Sequence, residues 1–340
     1  MEPKTSTPPE LSPAPGKQIV NEEIVYTQEF LDLLLTLPKE KNYFGVDSYQ
    51  YNGFWFPKAP LYGMIESQIH FQPRKNDVFL VTAPKSGTTW LKAIIYTLLN
   101  RQVNHPQDPH HPLITKTPHQ LVPFLGLLKP SDYDLISNTP DSSTRIFGSH
   151  VPLIGLPKSV AEDNGSFDCK IVYLCRDIKD TFVSFFHFAN EHLDRSCNSM
   201  EKAFDLYSRG VSGGGPVWDQ IIGYWNESLK RPHKVLFMRY EDMKTEPYFQ
   251  LKRLALFLGK PVSQEEENEG LLDQIIHLCS IENLSNLEVN KSGTTSRGLK
   301  NHSFYRSGKV GDWKKYLTPE MAAKLDHISQ EKFHGSGLSL

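Results

Sequence analysis

A short turn with four hydrogen-bonding side chains is the first place in the chain where chemistry could occur. The segment Pro84–Thr89 reads PKSGTT, and Gly87 removes the side chain that would keep an anion away from the backbone. Its donors are Lys85, Ser86, Thr88 and Thr89. Donors beside the free N–H groups of a helix N-terminus are suited to holding a phosphate or a sulfate. For the stretch taken alone, the less favoured alternative is an ordinary strand-to-helix turn.

The elements on either side determine where this turn lies. Val78–Val81 is a short apolar run, typical of a strand buried on both faces. After the turn, apolar residues recur at helical spacing as far as Leu99, with Thr88 or Thr89 as the expected N-cap. The pattern predicts a strand, an anion-binding turn and a helix in succession.

Two further predicted strands are followed by polar residues. Thr144–Gly148 runs into a proline-containing segment with His150, and Cys169–Leu174 is followed by Arg176. Ligands of open α/β sheets gather at the carboxyl ends of the strands, so both positions suit a site. Ser184, on the helix after Arg176, could reach the same ligand. The alternative is a surface arginine paired with a neighbouring aspartate, and a serine that faces solvent.

The alternation of strands and helices predicts the fold class. With Val235–Met238 as a further strand and Leu251–Leu258 as a helix, the pattern favours an α/β fold. We expect a single domain over residues 23–340, with a central, mostly parallel sheet flanked by helices on both faces. Residues 1–22 are rich in Pro, Ser and Thr and are predicted to be a disordered tail.

Composition argues against several classes of partner. The 340 residues contain 37 Lys and Arg against 39 Asp and Glu, so no basic excess indicates nucleic-acid binding. No apolar run approaches the roughly 20 residues of a membrane-spanning helix, and the N-terminus lacks the apolar segment of a secretory signal. Four cysteines are too sparse to staple this chain, which favours reduced thiols and a cytoplasmic location. They are Cys169, Cys175, Cys197 and Cys279.

Two loops have polar patterns of their own. His105, His110 and His111 lie together, but their proline-broken segment lacks a carboxylate or thiolate at ligand spacing, so we predict no metal site. Residues 292–315 are rich in Gly, Ser, Lys and Arg. They are interpreted either as a loop that becomes ordered on an anion or as a solvated basic loop.

Four motifs, taken together and in this order, resemble those of the cytosolic sulfotransferase family, in its plant branch. They are PKSGTTW at Pro84–Trp90, Arg176 with Ser184, YEDM at Tyr240–Met243, and RSGKVGDWK at Arg306–Lys314. The resemblance implies a P-loop-like turn that binds 3′-phosphoadenosine 5′-phosphosulfate (PAPS), with adenosine 3′,5′-bisphosphate (PAP) as the product. It extends from about Tyr49 to the C-terminus.

The resemblance also implies which residues bind PAPS. The turn would hold the phosphosulfate end, an arginine and a serine would grip the 3′-phosphate, aromatic side chains would lie near the adenine, and a C-terminal segment would close over the 3′-phosphate. The implied residues are Lys85, Ser86, Gly87, Thr88, Thr89, Trp90, Arg176, Ser184, Tyr240, Arg306, Ser307 and Gly308.

Transfer of a sulfuryl group to a hydroxyl needs a base and a cation. His150, near a strand end, is the natural general base for the acceptor hydroxyl. Lys85 can stabilise charge that develops on the bridging oxygen, and the resemblance implies that Ser184 holds Lys85 away until the acceptor arrives. Because Lys85, Arg176 and Arg306 supply a positive field, we expect no metal requirement.

The chain departs from the family pattern in several places. Ser307 stands where the family has a lysine, Gly148 where animal members have a lysine two residues before the histidine, and Ile281 where a phenylalanine often lies on the adenine. The dimer motif of animal members is not recognisable. We therefore expect a monomer.

The acceptor and two alternative functions stay open. The acceptor is expected to be a small hydroxylated metabolite of the flavonoid, hydroxyjasmonate, brassinosteroid or desulfoglucosinolate class. Phe54–Phe56, Phe186, His187 and Tyr224 favour a flat or apolar one, although core packing explains several equally well. Ser307 makes a nucleotide-binding protein without catalysis conceivable. An ATP-dependent phosphotransferase is disfavoured, because a Walker loop has its lysine after the second glycine.

Overall fold

The computed structural model describes residues 24–128, 132–133, 144–162, 168–192 and 199–340. The predicted tail and Cys197 lie outside these residues. The strands are β1 Lys39–Lys41, β2 Asp47–Tyr51, β3 Phe54–Pro57, β4 Val78–Thr82, β5 Ile146–Ser149, β6 Lys170–Cys175 and β7 Val235–Arg239. The α-helices are α1 Gln28–Thr36, α2 Lys58–His70, α3 Thr88–Asn100, α4 Pro112–Thr115, α5 Pro118–Leu121, α6 Lys158–Ala161, α7 Ile178–His192, α8 Met200–Ser208, α9 Val217–Lys230, α10 Tyr240–Thr245, α11 Pro247–Phe257, α12 Gln264–Asn268, α13 Leu271–Leu278, α14 Ile281–Asn286, α15 Glu288–Lys291 and α16 Pro319–Phe333.

A four-stranded parallel sheet forms the centre of the molecule. Its strand order is β5-β4-β6-β7, and every neighbouring pair is parallel. The chain leaves β4 for β5 on one side and returns to β6 on the other, so the carboxyl end of β4 is a topological switch point. The four carboxyl ends meet at one edge of the sheet, as the sequence predicted.

Helices cover both faces of this sheet, because each strand is apolar on both sides. Val78 and Leu80 of β4 point into one hydrophobic core, which includes residues of α3, α11 and α13. Phe79 and Val81 point into the opposite core, which includes residues of α7, α8, α9 and α16. The predicted α/β class with helices on both faces is therefore confirmed.

A second, antiparallel sheet of β1, β2 and β3 was not anticipated from the sequence. Asn52 and Gly53 join β2 to β3 with φ values of 50° and 84°, as a two-residue hairpin with a primed turn requires. Phe56 of β3 is buried in a small core with Phe30 and Leu61, so this aromatic has a packing role. The sheet also reaches the glycine-rich loop before α9, because the amide of Trp55 donates to the carbonyl of Gly215 at 2.7 Å.

Several predicted boundaries move in the structure. Helix α11 runs from Pro247 to Phe257 where Leu251–Leu258 was predicted, and β5 runs from Ile146 to Ser149 where Thr144–Gly148 was predicted. Residues 292–315 contain two short 3₁₀ helices, Asn301–Phe304 and Asp312–Lys315, separated by irregular chain. Within the described ranges, no helix is both long and apolar enough to cross a bilayer.

Candidate active site

One edge of the parallel sheet collects the predicted residues from all four strands. The predicted anion-binding turn follows β4, His150 follows β5, Arg176 follows β6, and Tyr240 follows β7. Because the strands are parallel and in register, residues far apart in sequence come to the same end of the sheet.

The turn after β4 depends on Gly87. Its φ of 110° is unfavourable for any residue with a side chain, and a Cβ there would lie 2.9 Å from the ring of Tyr240. Gly87 is itself the N-cap of α3, so the prediction of Thr88 or Thr89 as cap was wrong. The hydroxyl of Thr88 instead lies 2.6 Å from that of Thr82, the last residue of β4. The free N–H groups at the start of α3 therefore face the turn with little side-chain bulk.

The ammonium of Lys85 lies against the face of an aromatic ring. Its Nζ is 4.0 Å from the centroid of the Phe188 ring, and it donates to the carbonyl of Ser303 at 3.5 Å. Burial, together with Arg306 and Arg176, lowers the pKa of Lys85 to about 7. The described residues Lys85 and Ser184 share no hydrogen bond in this structure, and the restraint that the resemblance implies stays a prediction.

The imidazole of His150 is held in one orientation. Its Nδ1 lies 2.8 Å from the carbonyl oxygen of Thr82, which can only accept, so Nδ1 carries the proton and Nε2 keeps its lone pair. The Phe124 ring packs against it with centroids 4.5 Å apart, and Gln220 donates to the His150 carbonyl at 2.7 Å. Burial is the main cause that lowers its pKa to about 4, with Lys92 and Lys85 adding to the effect. The ring is therefore neutral at physiological pH.

Arg176 is a buried cation and does not lie on the surface. It is 5% exposed, its Nη2 donates to the carbonyl of Lys309 at 2.7 Å, and its guanidinium lies 4.6 Å from the centroid of the Tyr240 ring. Asp180 is 3.3 Å away, so the ion pair of the alternative interpretation exists but is buried. No described residue accepts a hydrogen bond from the Nε of Arg176. This leaves one donor of a buried cation available at the site.

The C-terminal segment packs on the same edge of the sheet. Arg306 pairs with Asp312 at 2.7 Å, and the hydroxyl of Tyr240 donates to the carbonyl of Gly308 at 2.7 Å. Ser307, which lies between Arg306 and Gly308 in the sequence, is partly buried. The amides of Gly311 and Trp313 donate to the Asp180 carboxylate at 2.8 and 2.9 Å. Residues 303–313 thus pack against the site and do not form a detached, solvated loop.

A cluster of aromatic and aliphatic side chains adjoins this segment. Trp90 meets Tyr240 edge-on at 5.1 Å between ring centroids, and a Cβ added to Gly308 would lie 2.8 Å from Ile281. These residues come from α3, β7–α10, α14 and the C-terminal segment. Their arrangement suits a flat ring beside the buried cation of Arg176. Ser184 is buried on α7, the helix that begins just after Arg176.

The structure also assembles residues that sequence reasoning missed. Lys92 of α3 is 1% exposed, and its ammonium lies 3.4 Å from Nδ1 of His119. It fills the space beside Gly148, where a Cβ would lie 2.7 Å from its Cε. A lysine within the otherwise apolar run that follows Trp90 was the signal that could have found it.

Other candidates have packing or capping roles. Tyr224 is fully buried, stacks on Tyr173 at 4.2 Å and donates to the Val151 carbonyl, so it is a core residue. His111 is buried and caps α4. Over the part of the chain that the structure describes, no group of three His, Cys, Asp or Glu side chains is arranged to hold a metal ion.

Comparison with known proteins identifies the family. Residues 75–337 match the model of the sulfotransferase domain. Cytosolic sulfotransferase 8 of Arabidopsis thaliana is 44% identical over 317 residues, covering 92% of this chain and 94% of the relative. An A. thaliana sulphotransferase crystal structure superposes with a TM-score of 0.72 at 36% identity, covering 96% of this chain and 99% of that one. Mouse sulfotransferase SULT7A1, solved with PAP, superposes with a TM-score of 0.66 at 25% identity over 85% of this chain and 95% of its own. The chain therefore belongs to the sulfotransferase family, in its plant cytosolic branch.

Proposed function

We propose that this enzyme transfers a sulfuryl group in line from PAPS to the hydroxyl of a small metabolite, with His150 as the general base. The orientation of His150 carries the proposal. Its Nδ1 proton is engaged by the Thr82 carbonyl at 2.8 Å, so Nε2 is the nitrogen that can take a proton. The low pKa keeps this nitrogen unprotonated before the acceptor arrives.

The part of the site that would hold PAPS carries positive charge, which the phosphate and sulfate groups of PAPS require. PAPS supplies the activated sulfuryl group and leaves as PAP. The backbone N–H groups of residues 86–89 and the ammonium of Lys85 would hold the phosphosulfate, with the hydroxyls of Ser86, Thr88 and Thr89 as further donors. Arg176, Ser184 and Arg306 would hold the 3′-phosphate, with Ser307 as a neutral donor in place of the family lysine. Mouse SULT7A1, a structural neighbour, was solved with PAP, which supports a nucleotide of this kind as the ligand.

The cluster of aromatic and aliphatic side chains beside Arg176 would hold the adenine. Trp90 and Tyr240 offer ring faces and edges, and Ile281 closes the side next to Gly308. The hydrogen bond from Tyr240 to the Gly308 carbonyl ties the C-terminal segment to β7. Binding of the nucleotide and closure of this segment would therefore reinforce each other.

Apolar and aromatic surfaces near His150 favour a flat or apolar acceptor. Phe124 packs directly on the imidazole, and Pro84 and Phe185 line a small cleft next to the glycine-rich loop at residues 212–215. A hydroxylated metabolite of the flavonoid, hydroxyjasmonate, brassinosteroid or desulfoglucosinolate class fits these surroundings. We further propose that the enzyme acts in the cytoplasm as a monomer, without a metal ion.

Removal of the imidazole tests the base. We expect His150→Ala to lower turnover about 100-fold or more, because general-base catalysis typically contributes about 10²–10⁴-fold. PAP affinity, measured by calorimetry, should stay close to that of the unaltered enzyme. His327→Ala, on the exposed face of α16, is the matched control and should leave both quantities unchanged. Turnover of His150→Ala above a few per cent would remove His150 from this role.

The same assays separate the alternative functions. Transfer from labelled PAPS should persist with EDTA across a panel of hydroxylated plant metabolites, and ATP with Mg²⁺ should not replace PAPS. Tight PAP binding with no turnover on any acceptor would favour a binding protein instead. A dependence on ATP and Mg²⁺ would favour a phosphotransferase.

A further inference from the structure

Lys92 is buried without an anionic partner. It lies on α3, four residues after Thr88, with 1% of its surface exposed. In the described ranges, no carboxylate comes within ion-pair distance of its ammonium. Its one short hydrogen bond runs to the carbonyl of Val122 at 2.7 Å. An ammonium has three donors, so this contact accounts for only part of its hydrogen-bonding capacity.

A second contact of Lys92 fixes the protonation of His119. Below its pKa of about 7, which burial lowers, Lys92 is an ammonium that can only donate, so Nδ1 of His119, at 3.4 Å, must accept. Neutral His119 then carries its proton on Nε2. That nitrogen lies 3.1 Å from Oγ1 of Thr89, so the hydroxyl oxygen of Thr89 accepts the Nε2 proton.

The consequence falls on Thr89, which belongs to the anion-binding turn. Once its oxygen accepts from His119, the hydroxyl hydrogen of Thr89 must point elsewhere. It is then a pre-oriented donor at the N-terminus of α3. Burial and the positive charges of Lys92 and Lys85 hold the pKa of His119 well below its ordinary value, which keeps the ring neutral and supports this order of donors.

A purely structural role explains Lys92 poorly. Its stem fills the space beside Gly148, and its ammonium lies 4.8 Å from the centroid of the Phe124 ring. Methionine would fill the same space without the desolvation penalty of an ammonium. The charge therefore costs stability, which points to a use in the neighbouring site.

We propose that Lys92 and His119 are positioning residues, and that the hydrogen-bonded series Lys92, His119, Thr89 directs the Thr89 hydroxyl proton toward the phosphosulfate. This inference rests on the proposed PAPS site. It does not depend on the acceptor or on His150 as base.

A double-mutant cycle on PAP binding and activity tests the series. Thr89→Ala and Lys92→Met should each reduce kcat/KM for PAPS by about 10- to 100-fold, since a hydrogen bond to a charged group contributes about 1.5–3 kcal/mol. The double variant should lose no more than Thr89→Ala alone, because Lys92 acts through Thr89. Lys260→Met, which removes an exposed cation, is the control and should have no effect. Additive losses in the double variant would overturn the proposal.

A spectroscopic measurement does not depend on activity, and its result for the unaltered enzyme does not depend on how the variants fold. Nitrogen-15 NMR of histidine-labelled protein at pH 6, where Lys92 is charged, should show His119 as the Nε2–H form. Lys92→Met should shift this signal, whereas Lys260→Met should not. A His119 resonance of the Nδ1–H form, or of imidazolium, would overturn the proposal. Failure of the unaltered enzyme to bind PAP would instead refute the proposed function.

Discussion

Raising the pH above 7 should weaken PAP binding, because Lys85 must be charged to hold a phosphate. Its pKa is lowered to about 7 by burial, Arg306 and Arg176. A bound anion would raise that pKa again. When Lys85 is neutral in the free enzyme, binding of PAP is therefore accompanied by the uptake of one proton. At pH 6 the lysine is already charged, and this contribution to the pH dependence vanishes.

The size of the effect follows from the pKa. With a pKa of about 7, about nine-tenths of the free enzyme has a neutral Lys85 at pH 8, so about 0.9 proton is taken up per PAP bound. Above pH 8, each pH unit should weaken binding about tenfold, or about 1.4 kcal/mol. The phosphates of PAP titrate near pH 6, so a window of about pH 7.5–9 isolates the lysine.

Calorimetry measures this uptake directly. Titrations with PAP in two buffers of different ionisation enthalpy give the number of protons from the difference in apparent enthalpy. Lys85→Arg is the key variant, because a guanidinium stays charged throughout the window. It should bind PAP with little proton uptake. Lys92→Met is the matched control for the other buried lysine with a pKa of about 7, and it should retain most of the uptake.

Two results would refute this reasoning. Binding of PAP that is independent of pH between about 7.5 and 9 would mean that Lys85 is already charged, or that it does not meet the anion. Equal proton uptake by Lys85→Arg and the unaltered enzyme would assign the proton to another group.

Three further substitutions test the geometry of the site. Gly87→Ala should lower the free energy of unfolding in urea by about 2–4 kcal/mol and abolish PAP binding. The added methyl would lie 2.9 Å from the ring of Tyr240, on a backbone with a φ of 110° that disfavours any side chain. An unchanged free energy of unfolding would contradict this. Asp180→Ala should weaken PAP binding about tenfold or more and speed proteolysis of the C-terminal segment, because two partly buried amides lose their acceptor. Proteolysis at the original rate would show that Asp180 does not anchor this segment. Ser307→Lys should tighten PAP binding about 3- to 10-fold at low salt, with the gain shrinking as salt rises; equal affinities at every salt concentration would exclude a phosphate contact.

Local patterning was sufficient for the regular elements of the main sheet. The apolar run of β4 and the helical spacing in α3 are short-range properties, and the structure has both close to their predicted bounds. The N-cap was wrong, because the left-handed conformation of Gly87 depends on how the turn meets Tyr240. The antiparallel sheet was missed, because its short strands lack a clear alternating pattern despite the Asn52–Gly53 turn.

The sequence by itself determined the family, and it located the predicted anion-binding turn and the polar residues at the strand ends, because these lie in or directly after short contiguous patterns of residues. Only the tertiary structure decided which side chains meet. The contact of Lys92 with His119 spans 27 positions along the chain and that of Asp180 with Gly311 spans 131. The orientation of His150 likewise depends on a carbonyl that is 68 positions away. Such pairings arise from the parallel register and the packing of α3, α5 and α7, and no local pattern of residue types encodes them.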